Sequence, residues 1–313
     1  EIAMGQQQGK VWVQSNEGLF PDAALQAYVT EVGRKIAAVS HRSGLPYEFA
    51  VVNDPNLNAV TLPGGKTYLN RGLVAKLSNE DQLAALIAHE IGHSAAMHIA
   101  TQITNRSFAN LAMGGLQWGL SKDGEKPNAA LLQGAGIGSQ LLLLKFSRDM
   151  ERQADNLAVE YLMAAGYNPN GALKLMEILK ENEKRGVQIG FLQSHPLHND
   201  RILAMEDRLG RLPRDVLSRP YQVKAFARAT RRLDEVKEAF AWEQRAREAF
   251  GRKDWDMATN SLHKSVAIFP DYAPFYAHLA SVQLRAARCR AAVSAARKGR
   301  KLAPDLLLAQ LAA

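Results

Sequence analysis

The chain has 313 residues, 47% of them hydrophobic and 22% charged, the composition of an ordinary globular protein with length for about two domains. No apolar run reaches the roughly 18 residues of a membrane-spanning helix, and Cys289 is the only cysteine, which excludes an intramolecular disulfide and any cysteine-based zinc site. The net charge of +8 is uneven: from residue 221 onward 17 Lys and Arg stand against 9 Asp and Glu, while 22 of each cancel before it, which argues for two units with different partners.

The chain starts at Glu1 with no visible signal peptide, so a targeting segment is expected to have been removed. Residues 21–40 carry Leu25, Tyr28, Val29, Val32 and Ile36 at helical spacing behind Pro21 and predict a packing helix. Two β-like runs follow, Tyr47 to Val52 and Asn58 to Leu62, then Pro63-Gly64-Gly65 and a third run from Lys66 to Asn70. Strand, turn and strand predict a small antiparallel sheet.

Residues 82–98 read QLAALIAHEIGHSAAMH, with Ser78 as the expected N-cap and Asp81 three residues later. Within this helix His89 and His93 are four apart, so both imidazoles stack on one face with Glu90 beside them. Two neutral imidazoles and a third protein ligand can hold Zn²⁺ with one position left for water, whose pKa the metal lowers from about 15.7 toward about 7. Glu90 could then accept the water's proton.

Residues 104–145 mix apolar and glycine-rich sequence around a polar interruption, Ser121 to Asn128, and read as two helices joined by a loop in preference to a membrane-touching lid. Residues 147–165 (SRDMERQADNLAVEYLMAA) predict an amphipathic helix that Gly166 and Pro169 end, and another helix is expected from about Gly171 to Lys184. FLQSHPLHNDRI then reads as a loop bearing His195 and His198, leading into a helix through residue 209.

The third zinc ligand decides the class. A continuation H-x-x-G-x-x-H is absent, because Ala96 and Ile99 occupy the positions of its Gly and His. His98, five residues past His93, points about 140° away around the helix and reads as a structural or hydrogen-bonding histidine rather than a ligand. Glu151 is a better candidate, with Asp155 one turn later able to accept a hydrogen bond from a ligand imidazole. A solvated acidic pair beside Arg148 and Arg152 is the competing reading, and spacing leaves both open.

After Arg219 the sequence repeats at 34 residues: Trp242 and Tyr276, Ala246 and Ala280, Phe250 and Leu284, Ala258 and Ala292, Leu262 and Ala296, and Pro270 and Pro304. That is the period of a tetratricopeptide helix pair, and it predicts two repeats at about 239–272 and 273–306. Two repeats hardly bury their own faces, so the helix expected at 221–240, or the first domain, should cap them.

Taken together, Asn58-Ala59 with Pro63-Gly64-Gly65, HEIGH at 89–93, SRDMERQAD at 147–155 and HPLHNDR at 195–201 resemble, over about residues 1–210, one family of zinc metallopeptidases. It includes the CAAX prenyl endopeptidases, the HtpX-type membrane proteases and the BepA-type periplasmic proteases. The resemblance implies one Zn²⁺ per chain held by His89, His93 and Glu151, with Glu90 as general base and Asp155 supporting a ligand. It implies substrate binding at Asn58 and Ala59 beside an edge strand, and a catalytic reach of His195 and Arg201 to the zinc or the substrate carbonyl. His195 could instead fill the open zinc position and hold the enzyme inactive.

The expected fold is α+β: a mainly helical zincin-like metallopeptidase domain with a small sheet at 1–215, then an all-α repeat domain at 216–313. The absence of recognisable membrane spans and the presence of C-terminal repeats resemble the BepA arrangement and imply a periplasmic endopeptidase of unfolded or misassembled envelope proteins. Expected partners are polypeptide substrates and, through the repeats, outer-membrane assembly proteins, with peripheral membrane association left open and no nucleic acid. The competing reading is a repeat-based chaperone or adaptor whose metal site is silent.

Overall fold

A computed structural model describes residues 1–104 and 145–304; the segment read above as two helices or a lid lies almost wholly outside them. The described residues form two compact units, one of residues 1–12, 24–104 and 145–228, the other of residues 13–23 and 229–304. Most of the chain is helical and the first unit holds a small sheet, so the class is α+β. Among the described residues no helix is long and apolar enough to cross a membrane.

The first unit opens with α1 (Ile2–Ser15), a helix that the sequence reading had not anticipated. Gly5 and Gly9 let its first turns lie against the hairpin: a Cβ on Gly5 would meet the Pro63 carbonyl oxygen at 1.8 Å, and one on Gly9 the Tyr68 hydroxyl at 2.3 Å. Helix α2 (Ala23–Ala38) buries Leu25, Val29, Val32 and Ile36, the stripe its periodicity predicts.

Strands β1 (Glu48–Val52), β2 (Ala59–Leu62) and β3 (Lys66–Asn70) lie in the order β1-β3-β2. The sheet is mixed, which corrects the antiparallel expectation. The tight turn at 63–65 makes β2 and β3 an antiparallel pair, but β3 then enters between its predecessors and runs parallel to β1. Local turn chemistry predicts the hairpin and carries no signal for the longer-range insertion. The central strand β3 is buried along its whole length, and β2 forms an outer edge.

After the short α3 (Arg71–Val74) comes α4 (Glu80–Ala95), buried from Glu80 to Ser94. A helix buried on every side needs neighbours on every side, and α4 packs against β2, α5 (Arg148–Ala164) and α6 (Asn170–Lys184). Its N-cap is Asn79, one residue past the expected Ser78: Asn79 Oδ1 accepts the Gln82 N–H at 3.0 Å, and Gln82 Oε1 accepts the Ser78 N–H at 2.6 Å.

Asp81 and Glu80 serve other bonds. Asp81 accepts the backbone N–H groups of Asn168 and Gln222, each at 2.8 Å, and Glu80 accepts the hydroxyls of Tyr28 at 2.6 Å and Tyr167 at 2.7 Å. Two acidic residues buried at a helix N-terminus are tolerable because the dipole and these donors compensate them. Burial and the Glu80 carboxylate together push both phenols well above their ordinary pKa. The result is a helix anchored at its start, so the far end presents its side chains from a fixed platform.

The first unit continues with α7 (Gly190–Ser194), a short helix in a stretch that reads as loop, then α8 (Asn199–Gly210) and α9 (Arg214–Leu217). Helix α10 (Val223–Glu235) leads into the second unit, where α11 (Lys237–Gly251) packs with α12 (Trp255–Ile268) and α13 (Ala273–Arg285) with α14 (Cys289–Leu302). Its core uses small residues at close helix contacts, Ala246, Ala249, Ala258 and Ala280, filled out by Leu262 and Leu279. Residues 13–23 join it through Phe20, 6.4 Å from the Phe269 ring centroid, and through Glu17, which accepts the Tyr272 hydroxyl at 2.9 Å.

Gly171, at the start of α6, lets that helix touch the anchored end of α4, since a Cβ there would lie 2.5 Å from the Asp81 carbonyl oxygen. Replacing Gly171 by Ala should destabilise the chain by about 1–3 kcal/mol, the usual penalty of overpacking against backbone. A lowered midpoint of urea unfolding is the expected reading, and an unchanged midpoint would show that α6 has room to move.

Candidate metal centre

The four-residue spacing on α4 sets the two imidazoles on one face as the helix period requires, edge to face at 73°, with His89 Nε2 and His93 Nε2 3.1 Å apart and both rings buried. Helix α5, capped by Ser147 through the Met150 N–H, brings a carboxylate to them: Glu151 Oε1 lies 3.3 Å from His93 Nε2, and Oε2 lies 3.5 Å from His89 Nε2. The approach of the two helices depends on Gly92, two residues past Glu90. A Cβ there would sit 3.1 Å from the Cα and the carbonyl oxygen of Ala154.

A third imidazole arrives from α7 and the turn after it. His195 Nδ1 is 3.0 Å from Glu151 Oε1 and 3.3 Å from His89 Nε2. Its ring stacks on Phe191, centroids 4.3 Å apart at 16°, and Phe191 in turn donates its N–H to the Leu57 carbonyl at 3.0 Å, just before β2. Phe146 closes the other side, with its ring centroid 3.9 Å from that of His93 and 5.0 Å from that of His195. Phe146, Phe191 and Gly92 carry no chemistry of their own, so no motif singles them out in the sequence.

These four side chains, His89, His93, Glu151 and His195, each offer one ligand atom within 4.8 Å of the others. Four of the separations among these atoms, 3.0 to 3.3 Å, are close to the roughly 3.3–3.4 Å expected between neighbouring ligand atoms 2.0–2.1 Å from a shared Zn²⁺. Three nitrogen donors and one carboxylate oxygen, without sulfur, form a donor set suited to that ion.

The electrostatics agree. Burial holds His93 far below its ordinary pKa, leaving a neutral imidazole. Burial acts to raise the pKa of Glu151, but the three surrounding imidazoles outweigh it and keep the carboxyl ionised. For His89 burial is outweighed by the Asp155 and Glu151 carboxylates, which push it up to about 10 in the ion-free chain. A divalent cation in place of that proton would satisfy the same carboxylates. Glu90, 1% exposed, has an Oε1 with no hydrogen-bond partner in the structure, 3.5 Å from His195 Nε2. A buried carboxylate oxygen left in this way marks a position for a polar group other than a side chain.

The remaining sequence candidates fall into three places. Asp155 Oδ1 lies 3.0 Å from His89 Nδ1, so that imidazole can present Nε2 to the centre. Arg201 is buried behind the carboxylates: Nε and Nη2 donate to Asp155, each at 2.8 Å, Nη1 donates to the Pro196 carbonyl at 2.9 Å, and Nη1 also lies 2.5 Å from Glu151 Oε2. These contacts engage each of its three nitrogens. Asn58 and Ala59 stand at the start of the edge strand β2, with Asn58 Oδ1 accepting the Ala59 N–H at 3.0 Å and the Asn58 carbonyl accepting the Asn70 N–H at 2.9 Å. His198 is exposed.

Widening Gly92 to Val should push α5 away from α4 and carry Glu151 with it. Zinc affinity, measured by competition with a chromophoric chelator, is expected to fall by at least about tenfold while the helical circular dichroism stays near wild type. Unchanged affinity would mean that the helix separation does not set the ligand geometry.

Comparison with known proteins places this arrangement. The chain is 34% identical over 183 residues to the mitochondrial metalloendopeptidase OMA1 of Schizosaccharomyces pombe, 58% of this chain and 52% of that one. It is 36% identical over 162 residues to the OMA1 of Arabidopsis thaliana, 51% of this chain and 31% of that one. To the beta-barrel assembly-enhancing protease of Escherichia coli it is 26% identical over 220 residues, 67% of this chain and 45% of that one. The chain therefore spans about half the length, or less, of these relatives. The model of peptidase family M48 matches residues 23–209, more than half of the chain and all of the clustered site, and the chain belongs to that family.

Proposed function

We propose that the chain is a zinc-dependent endopeptidase that cleaves unfolded or misassembled proteins of a bacterial envelope, in the periplasm. The observation that carries this reading is the convergence of His89, His93 and Glu151, with Glu90 buried beside them and one oxygen unpartnered. The family and its metalloendopeptidase members support the hydrolytic chemistry. The beta-barrel assembly-enhancing relatives support the envelope over the mitochondrial setting of the others, and the helical pairs after the peptidase region resemble the BepA arrangement.

In this reading His89 and His93 ligate through Nε2, Glu151 supplies the anionic ligand, and Asp155 and Arg201 hold them in place. Zinc, when bound, acidifies water and polarises the scissile carbonyl. Glu90 accepts a proton through Oε1 and returns it to the leaving amine. Phe146 and Phe191 exclude bulk water and lower the local dielectric. Arg201 acts as a positioning residue, its donors being engaged by Asp155, Glu151 and Pro196. An extended substrate adds to the outer edge of β2 beside Asn58 and Ala59 by backbone hydrogen bonds, which selects unfolded segments.

His195 then has the role of a displaceable cap. Its Nδ1 sits in the ligand set, and its ring leans on Phe191, whose backbone is tied to Leu57 next to β2. Strand addition at that edge would tug α7 and release the imidazole. The same observation favours a second reading, a chaperone or adaptor whose fully capped metal is silent.

Helices α11–α14 serve as two tetratricopeptide-type repeats that recruit protein partners, outer-membrane assembly proteins among them. Between Asp271 and Asp305 the sequence has no acidic residue, whereas seven Lys and Arg lie between 285 and 301, all exposed. Such a face suits polypeptides with acidic segments.

Replacing Glu90 by Gln should cut casein cleavage by about 10²–10⁴-fold while the chain keeps its zinc. Retained cleavage would remove Glu90 from the chemistry. Replacing His195 by Ala should raise the basal hydrolysis of a short fluorogenic peptide about tenfold, the effect of opening one ligand position that costs roughly 1.4 kcal/mol to vacate. A variant that binds unfolded clients, holds zinc and stays inert would favour the adaptor.

A further inference from the structure

His98 takes no part in the ligand set, yet it is 4% exposed and points at it. A continuous helix would turn it about 140° away from His93. The chain avoids this by ending α4 at Ala95 and passing through Met97 at φ +58°, after which residues 98–104 are helical again. A non-glycine residue in the left-handed region costs of order 1 kcal/mol or more. The break swings the His98 ring back until its Nδ1 lies 3.0 Å from His93 Nδ1, while its Nε2 lies 3.0 Å from Gln153 Oε1 on α5.

With Gln153 Oε1 as the acceptor, those two distances fit one set of proton positions. The amide oxygen of Gln153 accepts, so His98 carries its hydrogen on Nε2 and leaves Nδ1 as a bare lone pair. His98 Nδ1 accepts in turn, so the hydrogen of His93 lies on Nδ1. His93 Nε2 is left without a proton, facing His89 Nε2 at 3.1 Å and Glu151 Oε1 at 3.3 Å. The opposite tautomer would put a hydrogen on the nitrogen that has to ligate.

We propose that His98, oriented by Gln153, is a positioning residue that fixes the tautomer of His93 and so presents its bare Nε2 to the metal. It does for His93, with neutral groups, what Asp155 does for His89 with a carboxylate. The two ligand imidazoles are then held from opposite sides, one by a charge and one by a relay of neutral hydrogen bonds. This inference rests on the zinc reading of the site and deepens it.

The test uses zinc affinity and imidazole ¹⁵N shifts, neither of which depends on turnover. His98→Phe keeps the ring volume and removes the acceptor; its zinc dissociation constant should rise about 10–100-fold. His98→Asn can aim an amide oxygen at His93 Nδ1 and should restore affinity to within about threefold of wild type. Gln153→Leu, at an exposed position where water can substitute, should cost only a few-fold. In wild type before zinc is added, the ¹⁵N spectrum should already show His93 protonated on Nδ1. If His98→Phe binds zinc as wild type does, or if His93 carries its proton on Nε2, the proposal is overturned. If wild type itself takes up no zinc, the metal reading fails first. Should His98→Phe fail to fold, the ¹⁵N assignment in wild type decides alone.

Discussion

The close approach of α4 and α5 at Gly92 and Ala154 is the constraint on which the rest of the structure depends. It brings one carboxylate against two imidazoles that a single helical turn has already set on one face, in a buried region. Lone pairs and an anion gathered at such distances repel each other unless a cation lies among them. The chain therefore folds around a demand for positive charge, and Arg201 meets only part of it, from behind the carboxylates.

The supporting groups are unequal in kind. Asp155 and Arg201 form a buried ionic pair that fixes Glu151 and His89, a device that is costly to desolvate and costly to break. His93 meets the Glu151 carboxylate at Nε2 and a neutral imidazole, His98, at Nδ1. Placing a charge on one side of the ligand set and none on the other limits the net negative charge at the centre to what one divalent ion balances. The Phe191 ring against His195 and the Phe191 backbone bond to Leu57 tie the short helix α7 to both the cluster and the chain just before β2.

Much of the fold was legible from local pattern. The helices α2, α5 and α6 and the three strands lie within a few residues of where periodicity and turn residues set them. Long-range features were not. The insertion of β3 between β1 and β2 leaves no local trace, and α1 lacks a clean apolar stripe because its contacts are made by two glycines. In the site, His89 and His93 follow from helical geometry, whereas Glu151 was ambiguous by spacing and only resemblance favoured it. The burial of Arg201 behind two carboxylates cannot be read from sequence, because it depends on where α5 and α8 pack. His98 was set aside on the assumption of an unbroken helix, and the positive φ at Met97 removes that assumption.

One measurement bears on all of this most directly: elemental analysis of the purified chain after zinc reconstitution and removal of free metal. The account predicts a single equivalent of zinc in wild type, lost when Glu151 is replaced by Ala. A wild-type chain that retains far less than one equivalent, or a Glu151→Ala chain that binds zinc as tightly as wild type, would contradict it.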